Sequence, residues 1–360
     1  MSIPDAQLCL VSAQPLANLL PALALNAHSV TLAVSADMRE RGAHLAAELR
    51  RHEIDTQVIE IADAWDPASV SAAVDAWIER VDATQLLNAT GGTKIMSLVA
   101  SEAFRSRGWP VCYQRPDNAQ LVWLHAPPDV IELRDVQLAL GSLLAIHGYL
   151  LNGEDDAQRY EPIRPFLNRM LRLAVGDPAN VRALNRLLSE TGEHGWRLAD
   201  EPPALRAVLD SARDRGLVTR DGQRMKATQP TGRALLGGKW LEALVQLRCA
   251  EAAQTAAGTS VHANVRVQSA NDYDNELDAV IVSRNRLFIV ECKTRDGNED
   301  DVYRLDELKA LMGGLSARAM LVAPNVPKEN VRARARDLGV TIVHGEQLTD
   351  LTSILADWIA

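Results

Sequence analysis

A chain of 360 residues with 47% hydrophobic and 24% charged residues is too long for one ordinary core and too apolar to be disordered, so it predicts a globular protein of two or three domains. Its formal net charge of -9 excludes a generally basic nucleic-acid-coating protein but leaves room for a local basic groove. No run of about twenty apolar residues is present, and the opening Met-Ser-Ile-Pro-Asp lacks the basic region of a secretion signal, which predicts a cytoplasmic chain with no membrane attachment. The four cysteines, Cys9, Cys112, Cys249 and Cys292, lie far apart in apolar runs and predict reduced core thiols; neither they nor the eight histidines show zinc-ligand spacing.

In residues 1–150, strands predicted at Gln7–Val11, Val30–Val34, Gln57–Ile61, Gln85–Asn88 and Val111–Tyr113 alternate with helical patterns. Such alternation predicts a Rossmann-like parallel sheet covered on both faces, with ligands bound off the carboxyl ends of its strands. The fourth strand runs straight into Asn88-Ala89-Thr90-Gly91-Gly92-Thr93-Lys94-Ile95-Met96. Paired glycines permit close backbone approach, the following helix offers free N–H groups, and Thr90, Thr93 and Lys94 add hydroxyls and a cation, the makings of a phosphate cradle. It is not a Walker A loop, because the Gly-Lys-Ser/Thr ending is absent. The string resembles the signature of the CARF domain, the CRISPR-associated Rossmann fold that senses cyclic oligoadenylates. Ser12-Ala13-Gln14-Pro15-Leu16-Ala17-Asn18, after the first strand, resembles that family's other ligand-facing loop. The resemblance implies that Ser12, Gln14, Asn18, Thr90, Gly91, Gly92, Thr93 and Lys94 bind the messenger. A ring with rotational symmetry further implies a two-fold homodimer. A helix predicted over Val136–Leu151, with Leu140, Leu143, Leu144 and Ile146 on one side, suits either that interface or internal packing.

Residues 151–234 read as a connector. Asn152–Arg159 is polar and acidic, as a boundary would be. Helices predicted at Val181–Glu190 and Pro203–Arg215 precede a tight hairpin around Asp221-Gly222, which resembles a winged helix. Arg213, Arg215, Arg220, Arg224 and Lys226 could contact phosphates, or the module could be a spacer.

Residues 235–360 predict a second α/β domain. A helix from about Lys239 to Ala257 leads to Asn275–Thr294, two β-branched runs around a polar break at Ser283–Arg286. Side-chain alternation places Glu276 and Asp278 on one face of the first run, and Glu291 and Lys293 on one face of the second. Carboxylates set into an apolar hairpin are costly unless compensated, and a hard divalent cation compensates them. The set predicts a metal-assisted phosphodiesterase with Lys293 orienting water or neutralising charge. Asp278, Glu291 and Lys293, followed by a helix at Asp301–Gly313 and strands at Ala319–Ala323 and Val340–Val343, are similar to the PD-(D/E)xK restriction-endonuclease-like superfamily. That resemblance implies catalysis by Asp278, Glu291 and Lys293, with Glu242 or Glu276 completing the metal shell.

As a whole the chain resembles the CARF-linked nucleases of type III CRISPR defence: a Rossmann-like CARF sensor, a winged-helix-like connector and a restriction-endonuclease-like α/β domain. This implies a metal-dependent endonuclease of DNA and/or RNA, activated by cyclic tetra-adenylate and using Mn2+ or Mg2+. The competing expectation is a cyclic-oligoadenylate-responsive DNA-binding regulator whose nuclease-like domain is inactive. A third is a sensor that degrades its own ligand.

Overall fold

The computed structural model describes residues 4–115, 120–125, 131–132, 136–192, 194–269 and 274–360. The first three residues of the opening stretch read for a secretion signal lie outside them. No helix among the described residues is long and apolar enough to cross a membrane. Two compact units divide the chain, the first built almost wholly from residues 1–151 and the second from most of the remainder.

The first unit begins β1 (Ala6–Leu10), α1 (Leu16–Ala24), β2 (Ser29–Ser35), α2 (Arg39–Arg51), β3 (Asp55–Ile61), α3 (Pro67–Ile78), β4 (Leu86–Asn88), α4 (Lys94–Ser106) and β5 (Val111–Gln114). Two further strands, β6 (Gln120–His125) and β7 (Ile131–Glu132), extend the sheet to the order β3-β2-β1-β4-β5-β6-β7. β1 to β5 pair in parallel, as the alternating pattern predicts; β6 and β7 add on antiparallel. The order reverses at the β1–β4 neighbours, so the loops after those two strands diverge and open a crevice at the carboxyl edge. Leu8, Leu10, Leu87, Val74 and Phe104 form the buried core on one side, where Trp77 and Phe104 stack with centroids 6.2 Å apart.

The helix predicted over Val136–Leu151 is a correction. Only α5 (Leu140–Ala145) is helical, and the chain then turns at Gly148 with φ of +86° into β8 (Tyr149–Asp155). The boundary expected at the polar run Asn152–Arg159 does divide the two units, but its first four residues, Asn152–Asp155, belong to an edge strand. Its polar side chains find partners in place of apolar cover: Glu154 Oε2 lies 2.7 Å from His262 Nδ1, and Asn264 Nδ2 donates to Asp155 Oδ2 at 2.8 Å.

The second unit continues with α6 (Arg164–Gly176), α7 (Pro178–Thr191), β9 (Trp196–Arg197), α8 (Arg206–Asp214), β10 (Val218–Asp221) and β11 (Arg224–Ala227). Three helices and a small antiparallel sheet of order β10-β11-β9 give the winged-helix arrangement. Arg213, one of the five cations considered for phosphate contact, is committed internally: it donates to Glu201 Oε1 at 2.7 Å and pairs with Asp210. Arg220 and Arg224 spend donors on backbone carbonyls of Gly222 and Gly195.

After the short α9 (Thr231–Ala234) and a wide turn of helix over Leu235–Lys239 come α10 (Trp240–Ala253), β12 (Ser260–Ser269), β13 (Asp274–Ser283), β14 (Arg286–Cys292), α11 (Glu299–Gly313), β15 (Arg318–Ala323), α12 (Glu329–Asp337), β16 (Val340–His344) and α13 (Leu351–Ile359). α10 stops earlier than the Ala257 expected. The six-stranded sheet runs β16-β15-β14-β13-β12-β8, antiparallel from β12 to β14 and parallel from β14 to β16. One apolar core runs from Phe166 and Met170 of α6 through Trp240 and Leu244 of α10 to Leu351 and Leu355. The winged-helix module is therefore packed against the nuclease-like sheet rather than tethered to it.

Candidate functional site

The hairpin β13–β14 turns on Arg284 and Asn285, both with positive φ (51° and 58°), the conformation of a two-residue turn that preserves strand twist. Its register pairs Ser283 with Arg286 and Ala279 with Val290, which sets Asp278 directly across from Glu291 on the same face of the sheet. The ladder ends there, so both side chains stand at its open end. Glu291 is buried, at 6% exposure. One of its oxygens, Oε1, accepts from Lys293 Nζ and has Arg304 3.9 Å away. The other, Oε2, is buried without a hydrogen-bond partner. Asp278 Oδ2 accepts from the Cys292 backbone N–H at 2.7 Å, which fixes its rotamer across the strand pair.

Three carboxylates press on one another here. Burial, then the neighbouring Glu291 and Glu242 charges, push the Asp278 carboxyl up to about 7, against the Cys292 N–H that favours the anion. Burial likewise raises Glu242, with Lys239 opposing and Glu276 and Glu291 adding to the rise. Lys293 loses solvation to burial, but its bond to Glu291 together with the Glu291, Asp278 and Asp301 charges outweighs that loss and holds its ammonium above the ordinary range. Glu276 is exposed, at the outer end of the strand. Geometry therefore ranks Asp278 ahead of Glu276 as Glu291's partner, a choice the sequence leaves open.

α10 brings Glu242 over this cluster, and one turn later Gln246, fully buried, does what sequence reasoning missed. Its Nε2 donates to the Asp278 carbonyl at 2.8 Å and to Asn264 Oδ1 at 3.0 Å. Asn264 itself sits at φ +45°, at an irregularity in the β12–β13 pairing opposite Asp278. A buried amide pair thus clamps the strand that carries the carboxylate. A cavity of about 500 Å³ opens beside it, lined among others by Arg233, Lys239, Glu242, Lys293 and Arg295. One carboxylate, Glu242, and several cations line it, a balance that suits a phosphodiester brought toward anionic ligands.

Whether the residues fit a hard cation is tested by the orphaned Glu291 Oε2. A buried carboxylate oxygen with no donor is costly, and an oxygen-seeking cation is the partner that would relieve it. Asp278, Glu291 and Glu242 supply the oxygen donors such an ion takes. Among the described residues no three His, Cys, Asp or Glu side chains are drawn together as a ready-made metal cage. The four cysteines are free and buried, and burial pushes Cys9 and Cys249 up to about 12, so they are core thiols rather than nucleophiles.

In the first unit, the turn after β4 is locked onto β1. Asn88, buried beneath it, accepts from the Thr90 N–H (3.1 Å) and hydroxyl (2.6 Å) through Oδ1, and donates to the Ala17 carbonyl at 2.9 Å. Asn18 is buried as well and donates to the Leu10 carbonyl at 2.9 Å, so it shapes the turn from behind. Thr93 caps α4 by accepting from the Met96 N–H at 3.1 Å and donates its hydroxyl to the Ala64 carbonyl at 2.7 Å. Ser12 Oγ accepts from the Gln14 N–H at 3.3 Å, and Lys94 stands exposed at the first turn of α4. A Cβ at Gly91 would lie 2.0 Å from the Leu10 carbonyl oxygen. Glycine is required there by the strand behind the turn, whatever ligand lies in front. Gly91→Ala is expected to cost about 1–3 kcal/mol of stability through that clash, read as a lowered Tm together with loss of ligand response; an unchanged Tm would show that the turn can move off β1.

A model of the Card1 CARF domain matches residues 6–133, and a model of the Card1-like endonuclease domain matches residues 230–360. Among solved structures, the chain is similar to protein VC1899 from Vibrio cholerae (24% identity, TM-score 0.87, covering 98% of this chain and 97% of that one). It is also similar to Can2 from Sulfobacillus thermosulfidooxidans, solved in complex with cyclic tetra-adenylate (21% identity, TM-score 0.80, 99% of each chain). A type III CRISPR defence DNA nuclease activated by cyclic oligoadenylate aligns at 20% identity and TM-score 0.57 over 98% of this chain but 52% of that one. No curated protein matches. The chain is thus a CARF-linked nuclease, with a Card1-type CARF domain joined to a Card1-like endonuclease domain.

Proposed function

We propose that the chain is a metal-dependent endonuclease held in check until its CARF domain, within residues 1–150, binds a cyclic oligoadenylate. Residues 151–234 would form the connector and 235–360 the nuclease domain. The observation that carries the catalytic half is the unpartnered Glu291 Oε2, buried opposite Asp278 and beside Lys293.

Asp278, Glu291 and Glu242 would hold Mg2+ or Mn2+, with Glu276 at the periphery. When bound, the cation supplies Lewis-acid stabilisation of the phosphoryl charge and a lowered water pKa. The chain's own part is positional and electrostatic. Lys293, tied to Glu291, presents its remaining N–H donors toward the phosphate and favours the charge that develops there. Lys239, which lines the cavity, would draw in the polyanion, while Arg233 and Arg295 beside it are partly spent on backbone carbonyls and on Asp301. Gln246 and Asn264 keep Asp278 from swinging away.

The sensing half rests on the turn after β4, which sets a helix N-terminus and the exposed Lys94 at the carboxyl edge of the sheet, and on the likeness to a structure that holds cyclic tetra-adenylate. A ring with two-fold symmetry is met by two copies of this turn in a homodimer. The ligand then acts by binding the competent dimer more tightly than the idle one.

The deciding experiment is cleavage of supercoiled plasmid and single-stranded RNA in parallel, with or without manganese and with or without cyclic tetra-adenylate. Cleavage that needs both additions is the expected result and names the substrate. Tight messenger binding without cleavage of any nucleic acid would overturn the nuclease half.

A further inference from the structure

At the carboxyl edge of the first sheet a cavity of about 380 Å³ opens between the loops after β1, β2 and β3 and the start of α4. The phosphate-type turn contributes Gly92 and Thr93 to one wall. The loop after β3, bonded to that turn, contributes Trp65, which no motif singled out. Its indole is 70% exposed, although large aromatics ordinarily bury most of their surface.

The loop that bears Trp65 is not slack. Asp63 Oδ1 accepts from the Trp65 N–H at 2.8 Å, Ser69 Oγ accepts from the Asp63 N–H at 3.0 Å, and Asp66 caps α3 by accepting from the Ala68 and Ser69 N–H groups. The Thr93 hydroxyl ties the Ala64 carbonyl to the phosphate-type turn itself. The loop that carries this exposed ring is therefore fixed by five hydrogen bonds, one of them from the Gly91–Lys94 turn. An acidic side chain, Asp37, faces the same cavity from the loop after β2 and is exposed. A carboxylate there disfavours a second phosphate but accepts hydrogen bonds from an amino group.

Resting on the sensor reading above, we infer that this wall reads the base of the messenger: Trp65 stacks on an adenine whose phosphate lies on the Gly91–Lys94 turn, and Asp37 accepts from its exocyclic N6 amine. Stacking supplies affinity with little regard to sequence, since every base has a π-face. The carboxylate supplies discrimination at that position, where adenine offers an N–H donor and a 6-oxo purine offers a carbonyl oxygen that the carboxylate repels. The turn and the base wall are joined through Thr93 and Ala64, so occupancy of one is felt by the other.

The test is calorimetric binding of cyclic tetra-adenylate to the full-length wild type, Trp65→Ala, Trp65→Phe and Asp37→Ala proteins, with cyclic tetra-inosinate, which lacks the amine, as the second probe. Trp65→Ala is expected to weaken binding roughly tenfold or more, and Trp65→Phe by no more than about threefold. Tm should stay as in wild type in both, because the ring is exposed. Wild type should prefer the adenylate ring, and Asp37→Ala should narrow that preference. Wild-type affinity in Trp65→Ala, or a fall of its solution mass to half, which would assign the ring to contact between copies, overturns the inference. Absence of messenger binding by wild type would instead overturn the sensor reading.

Discussion

Glu291→Gln is expected to lower the cleavage rate about a thousandfold or more while raising the Tm of the metal-free protein. The two effects share one cause. Glu291 is buried beside two other carboxylates, its Oε2 has no donor, and the Asp278 carboxyl has been pushed up to about 7 by its burial and by the Glu291 charge. Replacing that charge by a neutral amide of the same shape removes the repulsion. The amide oxygen can still accept from Lys293, and the new N–H donors face the carboxylate of Asp278 across the strand pair. The folded state without metal is relieved, in the manner of sites whose residues are chosen for chemistry at the expense of stability. Catalysis loses a metal-binding oxygen and the anion that orients Lys293, and single contributions of this kind are worth 10²–10³ in rate or more. Differential scanning fluorimetry and plasmid or RNA cleavage measured on the same preparation read both. Undiminished cleavage would rule the cluster out as the active site. A lowered Tm would mean that the ion pairs of Glu291 with Lys293 and Arg304 outweigh its repulsion by the other carboxylates. Messenger affinity should be that of wild type, since Glu291 belongs to the second unit.

The β13–β14 hairpin was legible because its signals are local. Strand periodicity fixes which side chains share a face of each run, while the register that sets Asp278 opposite Glu291 came only with the two-residue turn at Arg284 and Asn285. The turn after β4 was legible for a similar reason, although the need for Gly91 lies behind the turn, against Leu10, rather than in front. What escaped were features that depend on partners distant in sequence. Gln246 in an apolar helix looks like an ordinary polar position until Asn264 and the Asp278 carbonyl arrive from two strands. Tyr149–Asp155 reads as the tail of a helix and a polar linker, yet it is an edge strand whose Asn, Glu and Asp are matched by His262, Asn264 and Gln268 across the sheet. Arg213 looks available for phosphate until Glu201, buried and also bonded by Trp196, claims it. Polar residues satisfied across long separations leave no periodic trace.

The pH dependence of stability gives the second large effect, and its sign follows from Asp278. In the unfolded chain this carboxyl titrates near 3.8, and in the metal-free fold near 7. Below about pH 4 it is protonated in both states and costs nothing. Between the two values the folded protein keeps a proton that the unfolded chain has lost, so stability falls as pH rises, and the full cost, on the order of a few kcal/mol, is reached above pH 7. Glu242, raised by the same burial and neighbours, adds in the same direction. A divalent cation would reverse the balance by binding the anions, so manganese should raise Tm more at pH 8 than at pH 5.5 and should release protons on binding. Asp278→Asn should flatten the metal-free Tm profile between pH 5 and 8 and abolish most of the proton release. The release is read by calorimetry in two buffers of different ionisation enthalpy. Parallel Tm profiles for wild type and Asp278→Asn, with no proton released by either, would show that Asp278 is already ionised without metal. The repulsion among the three carboxylates would then not be what holds the cation site open.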